Sequence, residues 1–336
     1  LNFYLRSEQT VSKTTPHSDR SDKAGETQEA RPAENSKIAY LGLGLMGQAM
    51  AVNLARAGLN VTGWNRTAGK AGEAALLEAG GKFEKGLADA VADADIIFTC
   101  LGDIADVEEV VLGQSGIAGS AKKGAVVADF STIGPEAAKN IYEGLKAQQM
   151  HFLDAPVTGG DVGARNATLT IMVGGDEEPF KKALFAFEKM GKTIRHCGPS
   201  GSGQALKLCN QILCAVNMIS VCEAFQLAKQ LGVDENLIVG VLSAGAGGSW
   251  ALTNLGPRII NSDLAPGFAL KHMLKDLRLV FENIDGKTEL LPGTKMARDL
   301  FSAVEQSGGA KDGGASGGAG DRLGTQAMIL AYDTRE

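Results

Sequence analysis

Three glycines carry the first chemical signal. Gly42, Gly44 and Gly47 stand as G-x-G-x-x-G directly after the strand-like KIAYL, at the start of a stretch whose Met46, Met50 and Leu54 fall on one helical face. The spacing needs glycine for a tight turn, for close approach of the backbone to a pyrophosphate, and for tight helix-sheet packing. The helix amino terminus adds N–H groups and a partial positive charge, so Gly42, Leu43, Gly44, Leu45, Met46 and Gly47 form a candidate dinucleotide site. Gly58 closes that helix and leads into NVTGW. After this second strand an acidic residue would bind a ribose diol, but the chain has Asn65-Arg66-Thr67. A guanidinium pairs with a 2′-phosphate that a carboxylate would repel, so NADP is the expected cofactor, with NAD left open. The plainer alternative is that Arg66 is a solvated loop charge.

Other chemistries are poorly supplied. The four histidines (His17, His151, His196, His272) are far apart and show no ligand spacing. The five cysteines (Cys100, Cys197, Cys209, Cys214, Cys222) include no Cys-x-x-Cys pair. The residues therefore suggest no metal, no disulfide framework and no Ser-His triad, and they fit a reducing compartment, cytoplasmic or organellar, rather than secretion. A net charge of −6 without a basic block gives no footprint for nucleic acid or an acidic membrane. No uninterrupted apolar run reaches the ~18–20 residues of a membrane helix, so a soluble protein is expected.

The elements that must position these groups follow from the pattern of apolar runs. With 336 residues and 44% apolar content, about two domains are expected. Residues 1–36 are polar and aperiodic and read as a disordered leader. The chain begins at Leu1, as a fragment of a longer precursor would, yet Glu8, Asp19, Asp22, Glu26, Glu29 and Glu34 make the leader too acidic for a typical transit peptide. From Lys37, short runs (KIAYLGLG, NVTGW, DIIFTCL, AVVADF, HFLDAPV, TLTIMVGG, TIRHCG) alternate with helical stretches, which predicts a mostly parallel sheet covered by helices on both faces over 37–199. After Gly203 the alternation stops. A proline-free stretch of roughly 30 residues predicts a helix near 45 Å long, opening an all-α domain over 200–336. Ser307 to Gly320 is glycine-rich and reads as a flexible surface loop.

Three further motifs, DAPVTGGDVGARNATL (Asp154 to Leu169), GSGQALKLCNQ (Gly201 to Gln211) and LKHMLKDLRL (Leu270 to Leu279), join GLGLMGQAMAVNLARAG and DFST (Asp129 to Thr132). Together they resemble the β-hydroxyacid dehydrogenase family, which includes 3-hydroxyisobutyrate dehydrogenase, tartronate semialdehyde reductase and the glyoxylate or succinic semialdehyde reductases. The resemblance runs from Lys37 to Tyr332. It is strongest to the plant and algal 3-hydroxyisobutyrate dehydrogenase-like branch, through GGDVGARN, KLCNQ, AGAGGSW and LGTQAMILA. It implies a Rossmann-type doubly wound domain followed by an all-α domain, as in 6-phosphogluconate dehydrogenase, and a homodimer or homotetramer.

The resemblance also implies that Lys207 is the general acid and base. Proton exchange with an alcohol or carbonyl oxygen needs a pKa near working pH, and burial with a nearby cation, for which Lys275 is the candidate, lowers a lysine's. Read without the family, Lys207 is as well explained as a lysine snorkelling to the surface. Thr158-Gly159-Gly160 resembles the family's Ser-Gly-Gly loop, which binds the substrate carboxylate; by itself it reads as a turn. Asn210 and Gln211 lie three and four residues after Lys207, so either amide can face the same cleft. Many family members carry asparagine where this chain has Gln211. The resemblance places Leu101, Gly102 and Thr132 near the nicotinamide half, and Lys275 near cofactor and substrate. The expected activity is NADPH-dependent reduction of a small carboxylate such as glyoxylate or succinic semialdehyde. An NAD-dependent 3-hydroxyisobutyrate dehydrogenase and a non-catalytic scaffold keeping the fold are the alternatives.

Overall fold

The computed structural model describes residues 36–307 and 322–333. The leader over 1–36 and the glycine-rich loop over 307–320 lie outside the described residues except at Ser36 and Ser307.

Strand β1 (Lys37–Leu41) shows why a sheet covered on both faces forms here. Successive side chains of a strand point to opposite faces, and neither face of β1 is polar. Ile38 and Tyr40 enter one apolar cluster with Met50, Leu54, Phe98 and Phe187; Ala39 and Leu41 enter another with Ile97, Val111, Val127 and Ile141. β1 pairs in parallel with β2 (Asn60–Trp64) and β4 (Ile96–Thr99). Parallel pairing continues to β3 (Lys82–Phe83) on one side, and to β5 (Val126–Asp129) and β6 (His151–Asp154) on the other. Beyond β6 the sheet turns antiparallel at β8 (Leu169–Gly175), which also pairs antiparallel with β7 (Val157–Thr158) and parallel with β9 (Gly191–Gly198).

Helices α1 (Leu45–Arg56), α2 (Ala71–Glu78), α7 (Gly160–Arg165) and α8 (Glu177–Phe187) pack on the first cluster's face. Helices α3 (Leu87–Val91), α4 (Ile104–Leu112), α5 (Ile117–Ser120) and α6 (Gly134–Ala147) pack on the other. The strand order β3-β2-β1-β4-β5-β6 reverses between β1 and β4, and a ligand crevice opens at the carboxyl ends of strands where such a reversal occurs.

The second part is helical. Helix α9 (Ser202–Leu231) is followed by α10 (Glu235–Leu242), α11 (Trp250–Ile260), α12 (Leu270–Glu282), α13 (Pro292–Ser307), a 3₁₀ turn over Thr325–Ile329 and α14 (Leu330–Asp333). Their core gathers Met218, Cys222 and Phe225 of α9 with Leu277, Leu300, Phe301 and Met328. By length and composition α9 would be long and apolar enough to cross a membrane. In the fold one side of α9 is the spine of the helical core, while Leu206, Leu213, Leu227 and Leu231 stay exposed.

Helix α9 is fixed to the sheet at its first turn by Asp154, the last residue of β6. Asp154 Oδ1 accepts from Gly201 N at 2.7 Å and Oδ2 from Gln204 N at 2.9 Å, so a strand carboxylate caps the helix from outside. Burial pushes the Asp154 carboxyl up to about 6, against the pull of these two N–H donors. The folded chain therefore holds the Asp154 proton more tightly than the unfolded chain. The group's contribution to stability falls as pH rises from 3.8 to about 6. Relative to Asp154→Asn, which cannot titrate, the parent should lose up to on the order of 3 kcal/mol between acid and neutral pH. Urea melts of both proteins at pH 4.5 and 7.5 measure this, and a stability difference independent of pH would contradict it.

Candidate active site

The glycine turn meets the demands of a pyrophosphate cradle. Gly42 sits at φ +95° with its backbone against Cys100 and Leu101 at the end of β4, where a Cβ would collide with the Cys100 carbonyl. A Cβ on Gly47 would strike the Gly42 carbonyl oxygen, so glycine lets α1 lie against the turn. Gly44, the residue before α1, is different: a Cβ there meets nothing within 4 Å, and no side chain caps the helix. The space beside the first turn is therefore open and its N–H groups face it, which fits a phosphate.

The end of β2 is tied to this turn. Leu43 N donates to Asn65 Oδ1 at 3.1 Å, and Asn65 Nδ2 donates to the Thr67 carbonyl at 2.9 Å. Arg66 Nη1 pairs with Asp106 Oδ1 of α4 at 2.9 Å, with the arginine side chain 72% exposed. An ion pair this exposed contributes only ~0–1 kcal/mol, so the guanidinium swings away at little cost.

On the other side of the crevice, Leu101 N donates to Ser131 Oγ at 2.8 Å. That hydroxyl donates to Asp129 Oδ1 at 2.6 Å, which also accepts from Thr99 Oγ1 at 2.7 Å. Burial raises the Asp129 pKa, and its Oδ2 has no hydrogen-bond partner. Lys275 Nζ, arriving on α12, donates to the Thr132 carbonyl. One turn further on α12, Arg278 Nη2 contacts both oxygens of Asp103 at 3.0 Å, beside Gly102 at the start of α4. Leu101, Gly102, Thr132 and Lys275 are thus brought to one rim.

Lys207 projects from the second turn of α9 and is 6% exposed. Its Nζ donates to the Val157 carbonyl at 2.9 Å, immediately before Thr158-Gly159-Gly160, and lies 5.9 Å from the Phe268 ring centroid. Gly159 at φ +127° and Gly160 at φ +64° turn the chain from β7 into α7 with backbone angles that other residues resist. Burial is the main cause holding Lys207 below the usual lysine range; Asp276 and then Cys214 pull it back up, and Lys275 adds the smallest effect, a further lowering. The expectation of a nearby cation at Lys275 is met in kind, but desolvation comes first among the causes.

Asn210 and Gln211 do not both face an open cleft. Gln211 is 2% exposed and its Nε2 donates to Asp276 Oδ2 at 2.6 Å; the other Asp276 oxygen lies 3.1 Å from Lys275 Nζ. Asn210 Nδ2 donates to Gln211 Oε1 at 2.8 Å and approaches Cys214 Sγ at 3.4 Å. An amide chain therefore runs from Asn210 through Gln211 to the Lys275–Asp276 pair. The site residues overlooked in the sequence are Gln204, Ser131, Phe268 and the Arg278–Asp103 contact. Gln204 lies inside the quoted GSGQALKLCNQ run, one helical turn before Lys207, while the others depend on contacts between distant segments. Among the described residues, no group of three or more His, Cys, Asp or Glu side chains is placed to hold a metal.

Comparison with known proteins gives the same picture of the fold. The NAD binding domain of 6-phosphogluconate dehydrogenase matches residues 37–198, and the NAD-binding domain of NADP-dependent 3-hydroxyisobutyrate dehydrogenase matches 201–316. An oxidoreductase of Synechocystis sp. is 50% identical over 297 residues, covering 88% of this chain and 98% of that protein. The 2-hydroxy-3-oxopropionate reductase of Escherichia coli is 37% identical over 277 residues, covering 82% and 95%. The solved structure of Mycobacterium tuberculosis 3-hydroxyisobutyrate dehydrogenase with L-serine aligns with a TM-score of 0.75 at 31% identity, covering 90% of this chain and 100% of that one.

Gly47 and Gly44 should respond differently to a methyl group. Gly47→Ala forces backbone against backbone and should cost ~1–3 kcal/mol of stability. Gly44→Ala, at φ −71° and ψ −170°, should leave the unfolding free energy within ~0.5 kcal/mol while filling the phosphate space. Thermal melts with nucleotide titrations separate the two effects. A Gly44→Ala protein that binds NADPH as the parent does would remove the cradle assignment.

Proposed function

The chain belongs to the β-hydroxyacid dehydrogenase family and is an NAD(P)-dependent oxidoreductase, and from that premise we propose that it reduces a small carboxylate-bearing aldehyde, glyoxylate or succinic semialdehyde, with NADPH. The observation that carries this reading is the buried Lys207 ammonium bonded to the Val157 carbonyl, one residue before the Thr158-Gly159-Gly160 loop. It sets a proton donor beside backbone N–H groups and a hydroxyl suited to a carboxylate.

The dinucleotide, when bound, carries the hydride. Gly42, Leu43, Gly44, Leu45, Met46 and Gly47 bind its phosphates; Asn65, Arg66 and Thr67 take the adenosine end; Leu101, Gly102, Thr132 and Lys275 line the nicotinamide end. Thr158, Gly159 and Gly160 hold the substrate carboxylate. Lys207 gives its proton to the carbonyl oxygen as negative charge develops there, and takes a proton from the alcohol in the reverse direction. Its lowered pKa makes the neutral amine, needed to take a proton back, easier to reach than in an exposed lysine. Asn210 and Gln211 act as one unit, with Gln211 holding Asp276 and Asn210 the nearer amide for the substrate. Phe268 shields the ammonium, so the proton passes to substrate rather than to water. The sheet-bearing part over 37–199 and the helical part over 200–336 supply the two walls of this cleft, and a homodimer or homotetramer is the proposed assembly.

The Arg66–Asp106 pair favours a second reading, in which the cofactor is NAD and the enzyme oxidises 3-hydroxyisobutyrate or a relative, since a carboxylate 2.9 Å from the arginine opposes a phosphate there. Ratios of kcat/KM for NADPH and NADH decide between them. On the favoured reading Arg66→Ala raises KM for NADPH by about tenfold or more and leaves NADH unchanged, as loss of one charge-assisted phosphate contact requires. A parent that prefers NADH would overturn it.

Lys207→Ala should lower kcat for glyoxylate or succinic semialdehyde by about 10²–10⁴-fold with the fold intact. Reduction needs the protonated amine, so kcat should fall as pH rises through the Lys207 pKa. Asp276→Asn removes an influence that raises this pKa and should move the limb to lower pH; Lys275→Ala removes one that lowers it and should move the limb upward by less. A limb unmoved by both substitutions would show that another group titrates. Turnover by neither the parent nor the variants across a semialdehyde panel would instead favour a non-catalytic role.

A further inference from the structure

Gln204 joins the helix bearing Lys207 to the turn between β5 and α6 by side-chain hydrogen bonds. It is fully buried at 0% exposure. Burying a primary amide is costly unless its donors and acceptors are met, and here contacts meet both acceptor positions and one of the two N–H donors. Its Oε1 accepts from Ile133 N at 3.0 Å and from Gly134 N at 3.1 Å, and its Nε2 donates to the Ser131 carbonyl at 2.8 Å. The side chain thus reads three backbone groups of the turn that carries Thr132. Its own backbone N donates to Asp154 on β6. Gln204 therefore ties three elements together at the first turn of α9.

Lys207 is three residues further on and also buried, so the two side chains leave neighbouring positions of one helical face. The turn that Gln204 grips is held from the opposite side by Lys275 at the Thr132 carbonyl, and Ser131 reaches Leu101 through its hydroxyl. With its far side fixed, the turn's distance from Lys207 is set by the length of one amide side chain. We propose that Gln204 is a positioning residue for proton transfer, registering the Lys207 ammonium against the Ser131–Gly134 turn on which the nicotinamide end is read. The inference rests on the reading of Lys207 as proton carrier. It adds a residue that touches neither cofactor nor substrate yet controls where the proton is delivered, and a displacement of about 1 Å at such a site costs about 10²-fold in rate.

Two substitutions separate registration from simple packing. Gln204→Met keeps the length and removes all three contacts. Gln204→Glu keeps the two accepted N–H bonds and restores the donor to the Ser131 carbonyl only when protonated. The charged and titratable groups around this position are Asp129 on β5, Asp154 on β6, Lys139 on α6, Lys207 on its own helix, and Lys275 and Asp276 on α12. With a fully buried site, the introduced glutamate should be neutral in mild acid and charged in mild base. With the full chain, NADPH and a semialdehyde substrate, Gln204→Met should lower kcat by about 10- to 100-fold while both KM values stay within about threefold. Gln204→Glu should approach parent kcat at pH 5.5 and match Gln204→Met at pH 8. Equal rates for parent and Gln204→Met would overturn the proposal, as would a rise in KM with kcat unchanged, or a glutamate variant that tracks the methionine variant at every pH.

A readout independent of turnover keeps this distinct from the proposed function. Acetic anhydride labelling followed by peptide mass spectrometry reports each lysine's reactivity. Gln204→Met should change Lys207 labelling several-fold and leave exposed Lys181 on α8 as it is. An inert parent whose Lys207 labelling still depends on Gln204 would defeat the substrate reading and support the positioning. Unchanged Lys207 labelling in Gln204→Met would defeat the positioning, whatever the parent's activity.

Discussion

Taking the Lys207 ammonium out of water is the constraint on which the rest of the site depends. A buried cation is expensive unless it finds a partner. The partner here is the Val157 carbonyl on β7, a strand that pairs with β8 at the end of the sheet order and lies against α9. The place of the strand at the end of the sheet order, the two left-handed glycines after it and the position of the ammonium are therefore one structural decision.

That decision requires α9 to be fixed in angle and height. A helix about 45 Å long acts as a lever, so a small tilt at its base moves groups along its whole length. Asp154 holds the base by its cap and Gln204 by its side chain, while the far end is locked in the helical core through Met218, Cys222 and Phe225. Helix α12 then runs back to the sheet, where Lys275 meets Thr132 and Arg278 meets Asp103. Between them the two helices grip the loops after β4 and β5 from both sides.

Much of this was legible in the sequence, and the exceptions have physical reasons. The seven runs correspond to β1, β2, β4, β5, β6, β8 and β9, and β4, β5 and β8 stand out most because a strand buried on both faces is a near-continuous run of apolar residues. β3 and β7 are two-residue strands, too short to produce a period. The glycine turn was readable because its geometry excludes every other residue at Gly42 and Gly47. The Gln211–Asp276 bond was not, since it joins residues 65 apart and nothing local in either helix demands it. Gln204 shows the same difficulty in sharper form: in sequence it is a polar helix residue of good propensity, and only the turn 70 residues earlier makes it indispensable.

The charges at the floor of the cleft explain why one site can serve both directions of a proton transfer. Lys207, Lys275 and Asp276 sum to one net positive charge when both amines are protonated. Burial and Lys275 oppose that state, which is why Lys207 titrates below the ordinary lysine range. On the proposed reading, a substrate that brings its own carboxylate supplies the missing negative charge. An opposite charge at close range favours the ammonium form, so arrival of the substrate would strengthen the hold of Lys207 on its proton just where it is to be given away. When the carboxylate departs, the same burial would promote its loss again. An anionic group on the substrate would then be part of the acid-base machinery as well as a handle for binding, and a neutral aldehyde of equal size would fit the cleft without that support for the ammonium.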